Sequence, residues 1–233
     1  MQHRLDERLK SAVPYLKKGG RVADVGTDHA YLPIYLIENG ISSFCVASDL
    51  RKGPLERAKE NIGAAGLCDR IELVLCDGLS KIEPYRPDDI LIFGMGGELI
   101  VSILEAAPWV KNEQIGLVLQ PMSHPEILRA YLLQNGFGIC GESLSLADRI
   151  YQTIHARFGA KRDPKSYTEA ELLVGRYNLA SHSPFVRPLL LREIDILSRV
   201  IAGKQNATDP DSAKEETLLQ QLTNELENHH ENK

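Results

Sequence analysis

The sequence predicts an α/β fold: a doubly wound, mostly parallel sheet ending in an antiparallel hairpin, with an α-helical, coiled-coil-like hairpin appended. Three observations predict it. Short apolar runs alternate with helical patterns five times between Val22 and Gly136, the signature of a parallel sheet covered on both faces and wound right-handedly. Two strand-like segments, 137–145 and 150–158, then follow one another across Leu146-Ala147-Asp148-Arg149, which is the spacing of an antiparallel hairpin at a sheet edge. Beyond Pro184, Leu190, Ile194, Leu197 and Ile201 recur at intervals of four, three and four, which makes a narrow helical seam.

Each element has its own signal. Leu5, Leu9, Val13 and Leu16 form one stripe over residues 3–17 and predict an N-terminal helix, ended by Gly19-Gly20. Val22–Val25 reads as the first strand and 29–38 as a helix closed by Gly40. Phe44–Ser48 is the second strand; residues 54–65 are a helix with Pro54 at its first position and Gly66 past its end. Ile71–Cys76 and Ile90–Phe93 are strands, 97–106 a helix and Ile115–Leu119 a strand. The helix over 124–135 has Ser123 as expected N-cap, Pro125 early, Glu126 closing a capping box and Gly136 after its end. The polar stretch 159–167 is a linker, so residues 1–160 form one expected domain and 161–233 an extension. In that extension residues 168–175 look helical, and a breaker at 206–212 separates the Leu190 seam from a second one through Leu218 or Leu219, Leu222 and Leu226.

Composition narrows the class. Hydrophobic residues make up 43% and charged residues 25%, ordinary values for a globular protein. No apolar run approaches the roughly 20 residues of a membrane span. The N-terminus is charged and amphipathic without a signal-peptide apolar core, and the four cysteines (Cys45, Cys68, Cys76, Cys140) lack CxxC spacing, so a cytoplasmic protein with reduced cysteines and no metal is expected. The net charge of −5 resides in residues 209–233, with seven Asp/Glu against two Lys/Arg. The first 21 residues carry six Lys/Arg against two Asp/Glu; this fits a basic face or simply a solvated helix.

The ligand loop is "VADVGTDHAYLPIYLIENG", 22–40. A dinucleotide loop needs glycines at its first, third and sixth places, to let the backbone approach a pyrophosphate. Here those places hold Gly26, Asp28 and Tyr31, and Asp28 would repel a phosphate. A ligand with a sulfonium and an ammonium instead of a phosphate tolerates the aspartate, and S-adenosyl-L-methionine is such a ligand. Asp24, ending the first strand, can receive the ammonium directly or through water. Asp49, ending the second, can accept hydrogen bonds from both ribose hydroxyls. Asp77, in Cys76-Asp77-Gly78, is placed to touch the adenine amino group, and Gly94-Met95-Gly96-Gly97 lets backbone approach the methionine portion and the substrate. Any one of these alone also fits a helix cap, a tight turn or packing. Three acidic residues ending three successive strands fit an adenosine ligand better, because ligands bind at that edge of a doubly wound sheet.

"DVGTDHAYLP" (24–33), "DLRKGPLERAKENI" (49–62), "FGMGGELI" (93–100) and "LVLQPM" (117–122) together resemble the TrmK family, bacterial enzymes that methylate N1 of adenine 22 in the D-arm of tRNA. The resemblance covers about residues 1–160 and extends in general form to the helical hairpin. It implies a Rossmann-like methyltransferase sheet, S-adenosyl-L-methionine as cofactor and tRNA as partner. It also implies that Asp24, Gly26, Asp28, Asp49, Asp77 and Gly94 line the cofactor site, to which the same loops add Thr27, His29, Tyr31, Leu50, Cys76, Gly78, Met95, Gly96 and Gly97.

The chemistry agrees with that implication. Methylation of an exocyclic adenine amine goes with a [DN]-P-P-[YFW] motif after the fourth strand, and this chain has Gly94-Met95-Gly96-Gly97 there. Ring N1 has an in-plane lone pair and needs no base, so transfer rests on in-line positioning. The product base is cationic, and Asp28 is the candidate catalytic carboxylate that would stabilise it; its alternatives are an N-cap or a purely cofactor-facing role. His29 and Tyr31 could contact the base. N1 lies on the Watson–Crick edge, so the base must leave its stack, which requires a wider RNA surface. The expected contributors are Arg4, Arg8, Lys10, Lys17 and Lys18 at the N-terminus and Arg187, Arg192, Arg199 and Lys204 on the helical hairpin. Methylation of a small molecule or protein, an inactive cofactor sensor or RNA-binding scaffold, and, least favoured, an NAD-linked oxidoreductase are the competing readings.

Overall fold

A computed structural model describes residues 5–161, 166–205 and 212–231. The chain divides into two compact units, residues 1–164 and 165–233. The first opens with a short helix, α1 (Glu7–Lys10), capped by Asp6, whose carboxylate accepts the Arg8 N–H at 3.0 Å. A 3-10 turn over Val13–Tyr15 follows. The single helix expected over 3–17 is thus replaced by two short pieces, with residues 3 and 4 outside the described chain. Pro14 is the cause: it has no N–H for the carbonyl one turn back, and its ring would strike that carbonyl. The Ser11 hydroxyl also donates to the Arg8 carbonyl at 2.6 Å, which closes the first turn early.

Then come β1 (Gly20–Val25), α2 (Tyr31–Glu38), β2 (Ser42–Asp49), α3 (Lys52–Ala64), β3 (Ile71–Leu75), β4 (Asp89–Met95), α4 (Gly97–Glu105), β5 (Gly116–Pro121), α5 (Pro125–Gln134), β6 (Phe137–Leu146) and β7 (Ile150–Phe158). The seven strands form one sheet in the order β3-β2-β1-β4-β5-β7-β6. The β2–β1, β2–β3, β1–β4 and β4–β5 pairs are parallel; β7 runs antiparallel to both β5 and β6. The hairpin therefore folds back so that β7 joins β5 and β6 becomes the edge. Apolar strand residues such as Ala23, Leu91, Ile92, Leu117 and Leu119 are fully enclosed, as a sheet covered on both faces requires. The strand order reverses between β1 and β4, which opens a crevice at their carboxyl ends.

Two helix starts differ from expectation. The helix expected over 54–65 begins at Lys52, so Pro54 is third rather than first; its missing N–H has no intrahelical partner in that turn anyway. In α5 the N-cap is His124, not Ser123, in a left-handed conformation with φ 51° and without a side-chain cap. The loop is held from elsewhere: the Ser123 carbonyl accepts the Gly97 N–H at 2.8 Å. Glu126 closes no capping box and meets His124 Nδ1 at 3.1 Å. From the same helix Arg129, fully buried, pairs with Glu142 of β6 at 2.6 Å and with Gln152 of β7 at 2.7 Å.

In the second unit Thr168 and Glu171 form a capping box at α6 (Glu169–Val174), followed by α7 (Arg176–Leu179), α8 (Val186–Gln205) and α9 (Ala213–Glu231). The helices α8 and α9 pack together, and Lys204 meets Glu215 at 2.7 Å. The buried seam shifts toward Val186, Leu189, Leu190 and Ile201 on one helix and Leu222 on the other, while Ile194, Leu197 and Leu226 are half-buried. Most of the expected breaker, 206–211, lies outside the described residues.

Candidate functional site

The carboxyl end of β1 is built to approach another loop closely. Gly26 has φ 84°, a conformation that favours glycine, and the Met95 methyl group at the end of β4 lies where a Cβ would sit. The N–H groups of Gly26 and Thr27 donate to the Ser48 carbonyl at 2.8 and 2.9 Å, fixing the loop to β2. Asn61 of α3 donates to the His29 carbonyl at 2.9 Å. Ala30 follows with φ 55°, an uncommon conformation for a residue with a side chain.

These loops enclose a cleft of about 650 Å³, lined among others by Leu5, Arg8, Asp24, Gly26, Phe93 and Gly94. Of the residues singled out in the sequence, Asp24, Gly26, Thr27, Asp28, His29, Tyr31 and Gly94 meet on this one cleft. Asp24 is 8% exposed. Burial pushes its carboxyl up to about 6, against the lowering pull of the Thr27 hydroxyl and the Arg8 charge. Asp49 is equally buried and accepts the Arg51 N–H at 2.7 Å, with the Arg51 guanidinium at 3.6 Å. Its neighbour Leu50 is exposed.

Asp28 is different. Its side chain is 63% exposed, with His29 Nε2 at 3.3 Å and Arg57 at 3.7 Å. The His29 and Tyr31 rings stack at 5.0 Å with 10° between their planes, so they hold each other. The Cys76 N–H bonds the Asp49 carbonyl at 3.2 Å, tying the ends of β3 and β2. Asp77 and Gly78 border a separate groove of about 250 Å³ against Leu99, Ser102 and Ile103 of α4. Gly96 and Gly97 pack against the turn before α5: a Cβ on Gly97 would collide with the His124 carbonyl.

Arg8 was expected on an RNA-facing surface and is a cleft residue instead. Its side chain is only 24% exposed, and its guanidinium lies 5.3 Å from the Tyr151 ring centroid and 3.5 Å from Gln120 Oε1. No local pattern signals this, because both partners lie more than a hundred residues away. Of the other expected basic residues, Lys10 is paired with Glu7, Lys17 with Asp88, Arg192 with Glu193, Arg199 with Asp195 and Lys204 with Glu215. Arg4 lies outside the described residues. Among the described residues no group of three or more His, Cys, Asp or Glu could hold a metal ion, and no helix is long and apolar enough to cross a membrane.

Comparison with known proteins places this geometry. Residues 5–154 match the Methyltransferase domain family. The tRNA (adenine(22)-N(1))-methyltransferase of Bacillus subtilis (strain 168) is 30% identical over 228 residues, spanning 96% of this chain and 94% of its own. The crystal structure of the B. subtilis m1A22 tRNA methyltransferase TrmK superposes with a TM-score of 0.79 at 28% identity, covering 98% of each chain. A Streptococcus pneumoniae protein solved in complex with S-adenosyl-L-methionine superposes with a TM-score of 0.83 at 28% identity, covering 95% of this chain and 99% of its own.

Proposed function

The chain belongs to the TrmK family of tRNA (adenine(22)-N(1))-methyltransferases, and from that premise we propose how its cleft serves the reaction. The protein is an S-adenosyl-L-methionine-dependent methyltransferase that acts on N1 of adenine 22 of tRNA. The observation that carries the assignment of the cleft is Asp24: a buried carboxylate beside Gly26 at the β1–β4 reversal, in a cavity large enough for a nucleoside with an amino-acid tail. Its unfavourable burial is relieved by a cationic ligand group, which fits the α-ammonium of the cofactor.

Asp24 holds that ammonium, directly or through water. Gly26, Thr27 and the Gly94-Met95-Gly96-Gly97 loop form the wall along the methionine portion. Asp49, with Leu50 beside it, receives the ribose hydroxyls, and Cys76-Asp77-Gly78 stands at the adenine end. The bound cofactor supplies a methyl group on a sulfonium; the adenine N1 lone pair takes the methyl, and the sulfur–carbon electrons stay on sulfur. N1 needs no deprotonation, so the chain's task is alignment and exclusion of water. The base becomes cationic, and Asp28 at the mouth of the cleft supplies the compensating negative charge, braced by His29 and Arg57. His29 and Tyr31 form a stacked pair against which the extruded base can rest. Lys10, Lys17 and Lys18, with Arg187, Arg192, Arg199 and Lys204 on α8, are the proposed RNA contacts, and the cytoplasm, where tRNA is, is the proposed location.

Transfer of labelled methyl from S-adenosyl-L-methionine to unmodified bacterial tRNA, with nucleoside analysis of the product, tests the reading. The expected product is 1-methyladenosine, lost when adenine 22 is replaced. Absence of label from every tRNA would refute it.

A further inference from the structure

The β6–β7 hairpin outruns the rest of the sheet on its ligand side. Pairing of β5 with β7 ends where Leu119 faces Ile154, whereas the β6–β7 ladder continues from Ser143 opposite Thr153 to Leu146 opposite Ile150. Because β7 is antiparallel to β5, this overhang and its turn, 147–149, project past the carboxyl end of β5, at the edge of the sheet where the cleft opens. A two-stranded ribbon alone is marginal in water, and this one is tethered. Arg149 Nη2 donates to the Met122 carbonyl at 3.2 Å, and the Met122 N–H donates to the Met95 carbonyl at 2.7 Å. The Met95 methyl group lies against Gly26 of the cleft. The Tyr151 ring lies 5.0 Å from the Arg149 guanidinium and 5.3 Å from that of Arg8, a cleft residue.

The tethered tip presents apolar surface and positive charge together. Leu146 is 51% exposed, and Met122, beside Arg149, is 36% exposed. A lone exposed leucine needs no explanation; this one ends a strand that overhangs a catalytic cleft. Among the described residues no ion pair neutralises Arg149, whereas Lys10, Lys17, Arg199 and Lys204 each have one. Asp148 is the acidic group of the turn. The Tyr151 hydroxyl, donating at 2.7 Å, holds its carboxyl below the ordinary range, with help from the Arg149 and Arg8 charges. Two guanidiniums therefore outweigh one carboxylate at the tip.

We propose that this tip is the wedge that keeps adenine 22 out of its stack: Leu146 enters the gap the base leaves, and Arg149 holds the adjacent phosphate. The assignment rests on the reading of the cleft as the site of N1 methylation. The base must leave its stack to bring N1 to the cofactor, and an aliphatic side chain in the vacated step replaces part of the lost contact and delays the base's return. The phosphate contact fixes the register of the strand. RNA is the occupant because the tip is continuous with the cleft that acts on it and carries the complementary charge.

The test uses full-length protein and tRNA with 2-aminopurine, whose fluorescence rises on unstacking, in place of adenine 22. Wild type should raise the fluorescence. Leu146→Ser should lose most of the rise and lower kcat/KM for unmodified tRNA roughly 10- to 100-fold, with S-adenosylhomocysteine affinity within about twofold and the melting temperature unchanged. Leu146→Phe should keep the rise. Arg149→Gln should reduce the slope of log Kd for tRNA against log salt by about one. An equal rise with Leu146→Ser would overturn the wedge. So would no rise with a wild type that binds and methylates tRNA, a result that needs no variant to fold. A lower melting temperature accompanying the loss would make Leu146 a support of the hairpin, and a wild-type dimer that Leu146→Ser splits would assign the tip to a second copy; either overturns the proposal. An unchanged salt slope would overturn the part given to Arg149. Wild type that forms no 1-methyladenosine in any tRNA refutes the methylation reading itself, a result distinct from all of these.

Discussion

Arg129 and Glu142 meet at 2.6 Å with no solvent exposure, and Gln152 takes another of the guanidinium's donors at 2.7 Å. Arg8 and Asp24 belong to the same sheet unit, yet they share a cleft without an ion pair between them. The chemistry is the same, a guanidinium and a carboxylate; the satisfaction is opposite. The closed pair joins α5 to the β6–β7 hairpin and leaves nothing for a ligand to do. The open pair keeps one desolvated carboxylate and one weakly engaged guanidinium on the walls of a cavity. Burial of charge alone does not mark a site; burial of charge that the fold itself leaves unanswered does.

The largest effect should come from breaking the closed pair. Arg129→Met strands a buried Glu142 carboxylate and should cost about 3–5 kcal/mol, read as a melting temperature lower by on the order of 10 °C. Asp24→Asn should do the reverse in the ligand-free protein. The Asp24 carboxyl titrates near 6 in the fold against an ordinary 3.8. Between those values the folded chain holds a proton that the unfolded chain has released, so this group's contribution to stability declines as pH rises toward 6. Asparagine removes the penalty. The variant should therefore be more stable than wild type by of order 2–3 kcal/mol at pH 7.5, and the gain should vanish as pH falls toward 4; calorimetric melts across that range check the sign.

Smaller effects should separate alignment from binding. Gly97→Ala drives a methyl group into the His124 carbonyl and must displace the turn that follows β5. A displacement of that kind should lower kcat about tenfold or more, with S-adenosylhomocysteine affinity within about threefold. Asp28→Asn removes an exposed carboxylate whose field water screens, so kcat should fall by less than about tenfold. A thousandfold loss would instead make Asp28 the dominant electrostatic group.

Most of the sheet was legible because strand–helix alternation reports burial directly, residue by residue. The positions of Asp24, Gly26 and Asp49 at strand ends were legible from the same alternation, and Asp24 and Gly26 line the cleft there. Three features were not. The N-terminal helix breaks at Pro14 because a stripe of apolar residues does not reveal a missing N–H. The α5 cap moved from Ser123 to His124 because Gly97, on another element, claims the Ser123 carbonyl. Arg8 read as a surface cation because Gln120 and Tyr151, which aim it, are far away in the chain. The last two share a cause, a local signal overruled by a contact between distant segments; the first is a local effect that the apolar stripe masked.

The most direct test of the contrast between the two pairs is calorimetric titration of S-adenosylhomocysteine into wild type and Asp24→Asn at pH 7.5, with melting temperatures taken on the same samples. The account predicts one equivalent bound by wild type, affinity reduced on the order of 100-fold in the variant, and a ligand-free variant that melts no lower than wild type. Equal affinities, or a loss of affinity accompanied by a collapse in melting temperature, would contradict it and make Asp24 part of the scaffold, like Arg129.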